Sequence, residues 1–138
     1  MGPLIIAGVI VRESDVVGLR YLGIKDSKLL TPIQRENISK ELRKIVQFKI
    51  IKITPKQIDS AVESDNSNLN WLEADNTIKI LKELNPNKAY IDCPSTNINA
   101  YKNYLRKRIE TGIELHVGHK MDSDNIVCSA ASIIAKTE

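Results

Sequence analysis

Cysteine, aromatic side chains and long apolar runs are all scarce in this 138-residue chain, and each scarcity weighs against a class of protein. Two cysteines, Cys93 and Cys128, make no spaced framework, so they suit a reducing cytoplasm better than a disulfide-stapled secreted scaffold. Both read as small buried residues. Aromatics form 4% of the chain, and the single tryptophan, Trp71, reads as packing rather than a stacking platform. The opening run from Met1 to Ile10 is apolar, but charge arrives at Arg12. That is too short for a membrane span, and the run lacks the basic leader of a signal peptide. It reads as a core strand, with no membrane association expected. Nor does one sign of charge dominate: 20 Lys+Arg against 17 Asp+Glu leave +3, which permits nucleic-acid contact without requiring it. What is present, 42% hydrophobic and 27% charged residues without repeat or linker, is the composition of one ordinary globular domain.

Hydrophobic periodicity then supplies the elements. Residues 3–11, rich in Ile and Val, read as a buried strand. Thr31 and Pro32 give an N-cap and first-turn proline to a helix over 32–46, with Ile33, Leu42, Ile45 and Val46 as its buried stripe. Phe48 to Thr54 is a β-branched strand ended by Pro55, followed by a short helical stretch from Ile58 to Val62. Residues 63–70 are polar and loop-like. Leu69, Leu72, Ile80, Leu81 and Leu84 recur near helical spacing until Asn85-Pro86-Asn87 stops them. The second half alternates: strand Ala89 to Asp92, basic helix 98–110, strand Ile113 to Val117, apolar helix Asn125 to Lys136. This order predicts a three-layer α/β domain whose last strands run parallel, with function at their carboxyl ends.

The first such end is Asp92. A carboxylate there must be solvated, hydrogen-bonded or bound to a cation, and an Asx-turn is the plainest account of it. Asp122 follows after the next strand and just before the last helix, so the two carboxylates can converge at one sheet edge. Converging carboxylates repel unless a cation holds them, and Mg²⁺ or Mn²⁺ is the natural choice for oxygen ligands. The competing account of Asp122 is a helix N-terminal acid, a role for which Asp124 is also placed. The basic segment Tyr101 to Arg108 reads as a solvated amphipathic face before it reads as a nucleic-acid surface.

Three segments, taken together, carry a resemblance: Gly23-Ile-Lys-Asp26-Ser27-Lys28-Leu-Leu30, Tyr90-Ile-Asp92-Cys-Pro94, and Gly118-His119-Lys120-Met-Asp122 followed by Ser129-Ala-Ala-Ser132-Ile-Ile-Ala-Lys136. In this order the chain resembles ribonuclease HII of the archaeal type. The resemblance implies a ribonuclease H-like fold with a mixed central sheet flanked by helices, in one domain over 1–138 that is expected to be truncated at both ends. It makes Asp92 and Asp122 two of four metal-binding carboxylates. The other two form an Asp-Glu pair in an Asp-Glu-Ala-Gly-Arg-Gly motif, which is absent from these residues together with its reader of the ribose 2′-hydroxyl.

The implied reaction is hydrolysis of an RNA phosphodiester in RNA/DNA hybrids, or at ribonucleotides embedded in duplex DNA. Two Mg²⁺ or Mn²⁺ ions take part, and the products carry 5′-phosphate and 3′-hydroxyl ends. The 138 residues alone are expected to be inactive. Lys28 and Lys120 are candidate phosphate contacts, with Ser129 and Ser132 as weaker backbone contacts that packing explains as well. His119 is placed beside the metal edge as a hydrogen-bonding group and not as a ligand. A cytoplasmic monomer is expected, with any sliding-clamp contact in a further C-terminal region. A non-catalytic nucleic-acid-binding or structural remnant is the alternative. A transposase or resolvase core is disfavoured by the Asp-Ser-Lys and Ser-Ala-Ala-Ser segments.

Overall fold

A computed structural model describes residues 3–24, 29–63, 69–121 and 125–138. Strand β1 (Leu4–Ile10) pairs antiparallel with β2 (Gln47–Ile53), from Leu4 opposite Ile53 to Ile10 opposite Gln47. Strand β3 (Lys88–Asp92) runs parallel to β4 (Glu114–Gly118), from Lys88 opposite Glu114 to Asp92 opposite Gly118. The helices are α1 (Val16–Tyr21), α2 (Pro32–Ile45), α3 (Pro55–Glu63), α4 (Leu69–Leu84), α5 (Ile98–Arg106) and α6 (Ile126–Lys136). The α/β class and the parallel last pair are as the sequence implies. Among the described residues the strands form two separate two-stranded ladders, one antiparallel and one parallel. A parallel pair needs a crossover of a dozen or more residues, and α5 provides it. No helix among the described residues is long and apolar enough to cross a membrane.

Local chemistry explains where the helices start. At α2 the Thr31 hydroxyl accepts from Gln34 N–H at 3.1 Å while the Gln34 side chain accepts from Thr31 N–H at 2.9 Å, a reciprocal capping box with Pro32 at the first helical position. The same four-residue pattern, Thr54-Pro55-Lys56-Gln57, starts α3 with bonds of 3.2 and 2.9 Å. The helix therefore begins at Pro55 and not near Ile58. Asn85, with φ of 48°, takes the left-handed position that closes α4, and its N–H bonds the Leu81 carbonyl at 2.8 Å.

Packing divides into two cores. Around β3 and β4 lie Ala74, Ile78 and Leu81 of α4, Tyr101 and Leu105 of α5, and Ala89, Ile91 and Leu115 of the strands, with Trp71 against them. Trp71 stacks on Tyr104 with ring centroids 4.5 Å apart, and the Arg108 guanidinium covers Tyr104 at 3.6 Å. Trp71 is thus packing, as read. The second core joins Leu19, Leu42, Val46, Ala130, Ile133 and Ile134, with Val9, Phe48 and Ile50 of β1 and β2 against it. Helix α4 lies directly on β1 at Gly8, where an added Cβ would fall 2.2 Å from Ile80 Cγ2.

Several expectations are corrected. Ile33 and Ile45 are exposed, at 72% and 56%, and the buried line of α2 runs through Ser39 and Leu42. At about 100° per residue, Ile33 sits half a turn from Leu42 and faces water. Helix α5 stops at Arg106 rather than 110, where the guanidinium folds back onto the carbonyls of Glu110 and Ile113. The span 13–21, left unassigned by periodicity, holds a 3-10 turn at Glu13–Asp15 and helix α1. Cys93 is buried but Cys128 only half so, and the Cys128 thiol donates to the Tyr90 carbonyl on β3 at 3.0 Å.

Candidate active site

Alternation along β3 decides which way its aspartate faces. Ala89 and Ile91 point into the core while Lys88, Tyr90 and Asp92 point out, so Asp92 ends the strand exposed. Beside it Gly118 ends β4, and the strands finish together with Cys93 N–H on the Gly118 carbonyl at 2.9 Å. The loop after β4 then turns sharply. Lys120 holds φ of 59°, uncommon for a residue with a Cβ, and Met121 N–H donates to Asp92 Oδ1 at 3.1 Å. This contact spans 29 residues, so it is not a local Asx-turn. His119 Nε2 meets the Ser95 carbonyl at 2.7 Å, tying the two strand-end loops together.

A second acid lies near, and sequence reasoning passed over it. Glu73, on α4, has its carboxyl pushed up, first by burial and then by the negative charge of Asp92. The Cys93 thiol is also raised, mainly by burial and further by Asp92 and Glu73, against the lowering effect of its contact with Ser95. It stays protonated and structural. Tyr101 is pushed well above its ordinary range by burial, with Glu73 adding to the shift. Nothing in the helical spacing of Glu73 marks it, because an acid on a half-buried helix face is ordinary until β3 is placed beside it.

The remaining sequence candidates fall as follows. Asp122 and Lys28, with the Asp26-Ser27 pair, lie outside the described residues. Lys120 sits exposed on the turn beside Asp92. Ser129 is 3% exposed within α6, which suits close helix packing. The cap of α6 is Asn125, whose Oδ1 accepts from Val127 and Cys128 N–H at 2.9 and 3.1 Å. Asp124, the other residue placed for a role at the start of this helix, lies outside the described residues, as does Asp122.

Among the described residues no three His, Cys, Asp or Glu side chains gather to hold a metal. The donor chemistry at Asp92 nevertheless suits a hard divalent cation. It is an exposed carboxylate at a strand's carboxyl end, near a second acid whose ionisation it opposes, and a cation relieves that opposition.

The whole of residues 1–138 matches the family model described as Ribonuclease HII. The Ribonuclease HII of Methanobrevibacter smithii is 41% identical over 138 residues, which are 100% of this chain and 65% of that protein. The structure of the PCNA:RNase HII complex from Archaeoglobus fulgidus superposes with a TM-score of 0.88 at 34% identity, covering 99% of this chain and 64% of that one. Bst-RNase HIII in complex with Mn²⁺ shares the fold at a TM-score of 0.77 and 21% identity, covering 99% and 46%. The ribonuclease H-like fold expected from the motifs is thus the fold observed. The chain spans a little under two thirds of the length of these first relatives, and its strand-end aspartate and flanking turn sit within the matched span. On this agreement of sequence and structure, the chain belongs to the ribonuclease HII family.

Proposed function

We propose that this chain carries part of the catalytic centre of a metal-dependent endonuclease. That enzyme would hydrolyse the RNA phosphodiester of RNA/DNA hybrids, or of ribonucleotides embedded in duplex DNA. The observation that carries the reading is the Asp92 carboxylate, exposed at the carboxyl end of β3 and fixed by the Met121 amide from the neighbouring loop. Asp92 and Asp122 are the residues to hold Mg²⁺ or Mn²⁺. Bound there, two ions would supply an activated water and stabilise the leaving 3′-oxygen, giving 5′-phosphate and 3′-hydroxyl ends.

The chain's own residues have narrower tasks. Asp92 presents oxygen at a set orientation, because one of its two carboxylate oxygens is committed to a backbone N–H. Glu73 adds negative charge behind it and increases the gain on binding a cation. Lys120 and Lys28 would meet phosphate as point charges. With only two of the four carboxylates implied by the family resemblance, a polypeptide of these 138 residues is expected to hold ions weakly and cleave slowly or not at all. The reading includes contact of the whole protein with a sliding clamp, and a monomer working in the cytoplasm.

The test is ion-linked stability. Mn²⁺ or Mg²⁺ should raise the melting temperature of the chain, and the rise should vanish in Asp92→Asn and in Asp122→Asn. A melting temperature indifferent to ions in all three proteins would favour the non-catalytic remnant. A parallel incubation with DNA holding one ribonucleotide should show any cleavage to be ion-dependent and lost with Asp92→Asn.

A further inference from the structure

Two loops leave the ends of β3 and β4 side by side, and their bonding differs. The first, 93–97, is stitched into α5: the Cys93 thiol reaches the Ser95 carbonyl at 3.3 Å, Ser95 Oγ accepts from Asn97 N–H at 3.1 Å, and Asn97 Oδ1 caps α5 through Ala100 N–H at 3.0 Å. The second begins at Gly118 and passes through the left-handed backbone of Lys120. On one side of Lys120 the imidazole of His119 bonds the Ser95 carbonyl, and on the other the Met121 amide bonds Asp92. A carbonyl can only accept, so His119 Nε2 carries the hydrogen and donates it. The ring thereby moors the irregular loop to the anchored one, one residue before the unfavourable dihedral and two before the amide that fixes Asp92.

We propose that His119 is a positioning residue for the metal-binding aspartate: by donating to Ser95 it keeps the Met121 N–H on Asp92 Oδ1 and so sets the carboxylate's orientation. The inference rests on the reading of Asp92 as an ion ligand but adds to it a residue that itself touches no ion. Outer groups that orient metal ligands commonly change metal affinity by roughly 10- to 100-fold when removed. The lower end of that range is expected here, because the bond is solvent-exposed. Glutamine can present an N–H at nearly the reach of Nε2, whereas alanine removes the donor. Since His119 is exposed, neither variant removes a core group.

The experiment compares wild type, His119→Ala and His119→Gln by two readouts: the amide resonance of Met121 without ion, and Mn²⁺ affinity by calorimetry. Expected are a shifted, faster-exchanging Met121 amide and roughly tenfold weaker Mn²⁺ binding in His119→Ala, with both restored to within about twofold in His119→Gln. An unchanged Met121 amide in His119→Ala would overturn the proposal, as would a His119→Gln protein no better than alanine. If wild type binds no Mn²⁺, the ion reading of Asp92 fails, while the Met121 amide still decides whether His119 positions that carboxylate.

Discussion

At the scale of single residues, the strand-end region combines a strained backbone with a crowded charge. Lys120 occupies the left-handed region, which costs a residue bearing a Cβ about 1–2 kcal/mol. Glycine removes that cost but gives back about 0.5–1 kcal/mol in unfolded-chain entropy. Lys120→Gly is therefore expected to stabilise the fold by roughly 0.5–1 kcal/mol in a denaturant titration, while losing the ammonium proposed to meet phosphate. A destabilised Lys120→Gly would mean that the side chain holds the turn. Glu73 yields a pH prediction. Its folded carboxyl is raised above 4.5 by burial and by Asp92, so the stability it contributes is fully present below the unfolded value and is lost as pH rises through the folded one. Glu73→Gln should exceed wild type in stability at pH 7, with the gap closing below about pH 4, as seen in melting curves across pH. A gap that persists unchanged in acid would assign the effect to packing alone.

Among the elements, helix starts were more legible than helix faces. The Thr-Pro-x-Gln signature is a local device, since its two hydrogen bonds close within four residues, and sequence suffices to see it at Thr31. The identical signature at Thr54 is harder to see, because Pro55 marks the end of a strand as readily as the first residue of α3. Replacing Thr54 by Ala should cost about 1 kcal/mol, as for other N-caps, and shorten α3 at its start. Faces are decided by partners. Leu42 and Ile33 are equally apolar, yet only the Leu42 side of α2 meets α6, and no property of the segment itself distinguishes them. Gly8 makes the same point in a strand, where it permits the approach of α4. Gly8→Ala should destabilise by about 1–3 kcal/mol through the clash with Ile80, and a double-mutant cycle with Ile80→Ala should show strong coupling. Additive effects would mean that α4 shifts to make room.

At the scale of the molecule, the motif order carried the family and the α/β alternation carried the class, because both depend on sequence order alone. Asp92 was legible as a strand-end acid within that order. Its support was not: Met121, His119, Ser95 and Glu73 come together only because β3 and β4 finish at the same register and α4 packs beneath them. Those contacts are long-range, so no periodicity announces them. The match to family relatives runs over the full 138 residues, at a little under two thirds of their length, so the ion site proposed at the end of β3 can be tested in this polypeptide.

The most direct test is a Mn²⁺ titration of the ¹⁵N-labelled chain, because paramagnetic broadening reports position as well as binding. The account predicts that the amides of Asp92, Cys93 and Met121 and those of residues 122–124 broaden first, and that Asp92→Asn abolishes this selectivity. Broadening centred elsewhere, or none at concentrations that stabilise the protein, would contradict the placement of the metal site at the end of β3.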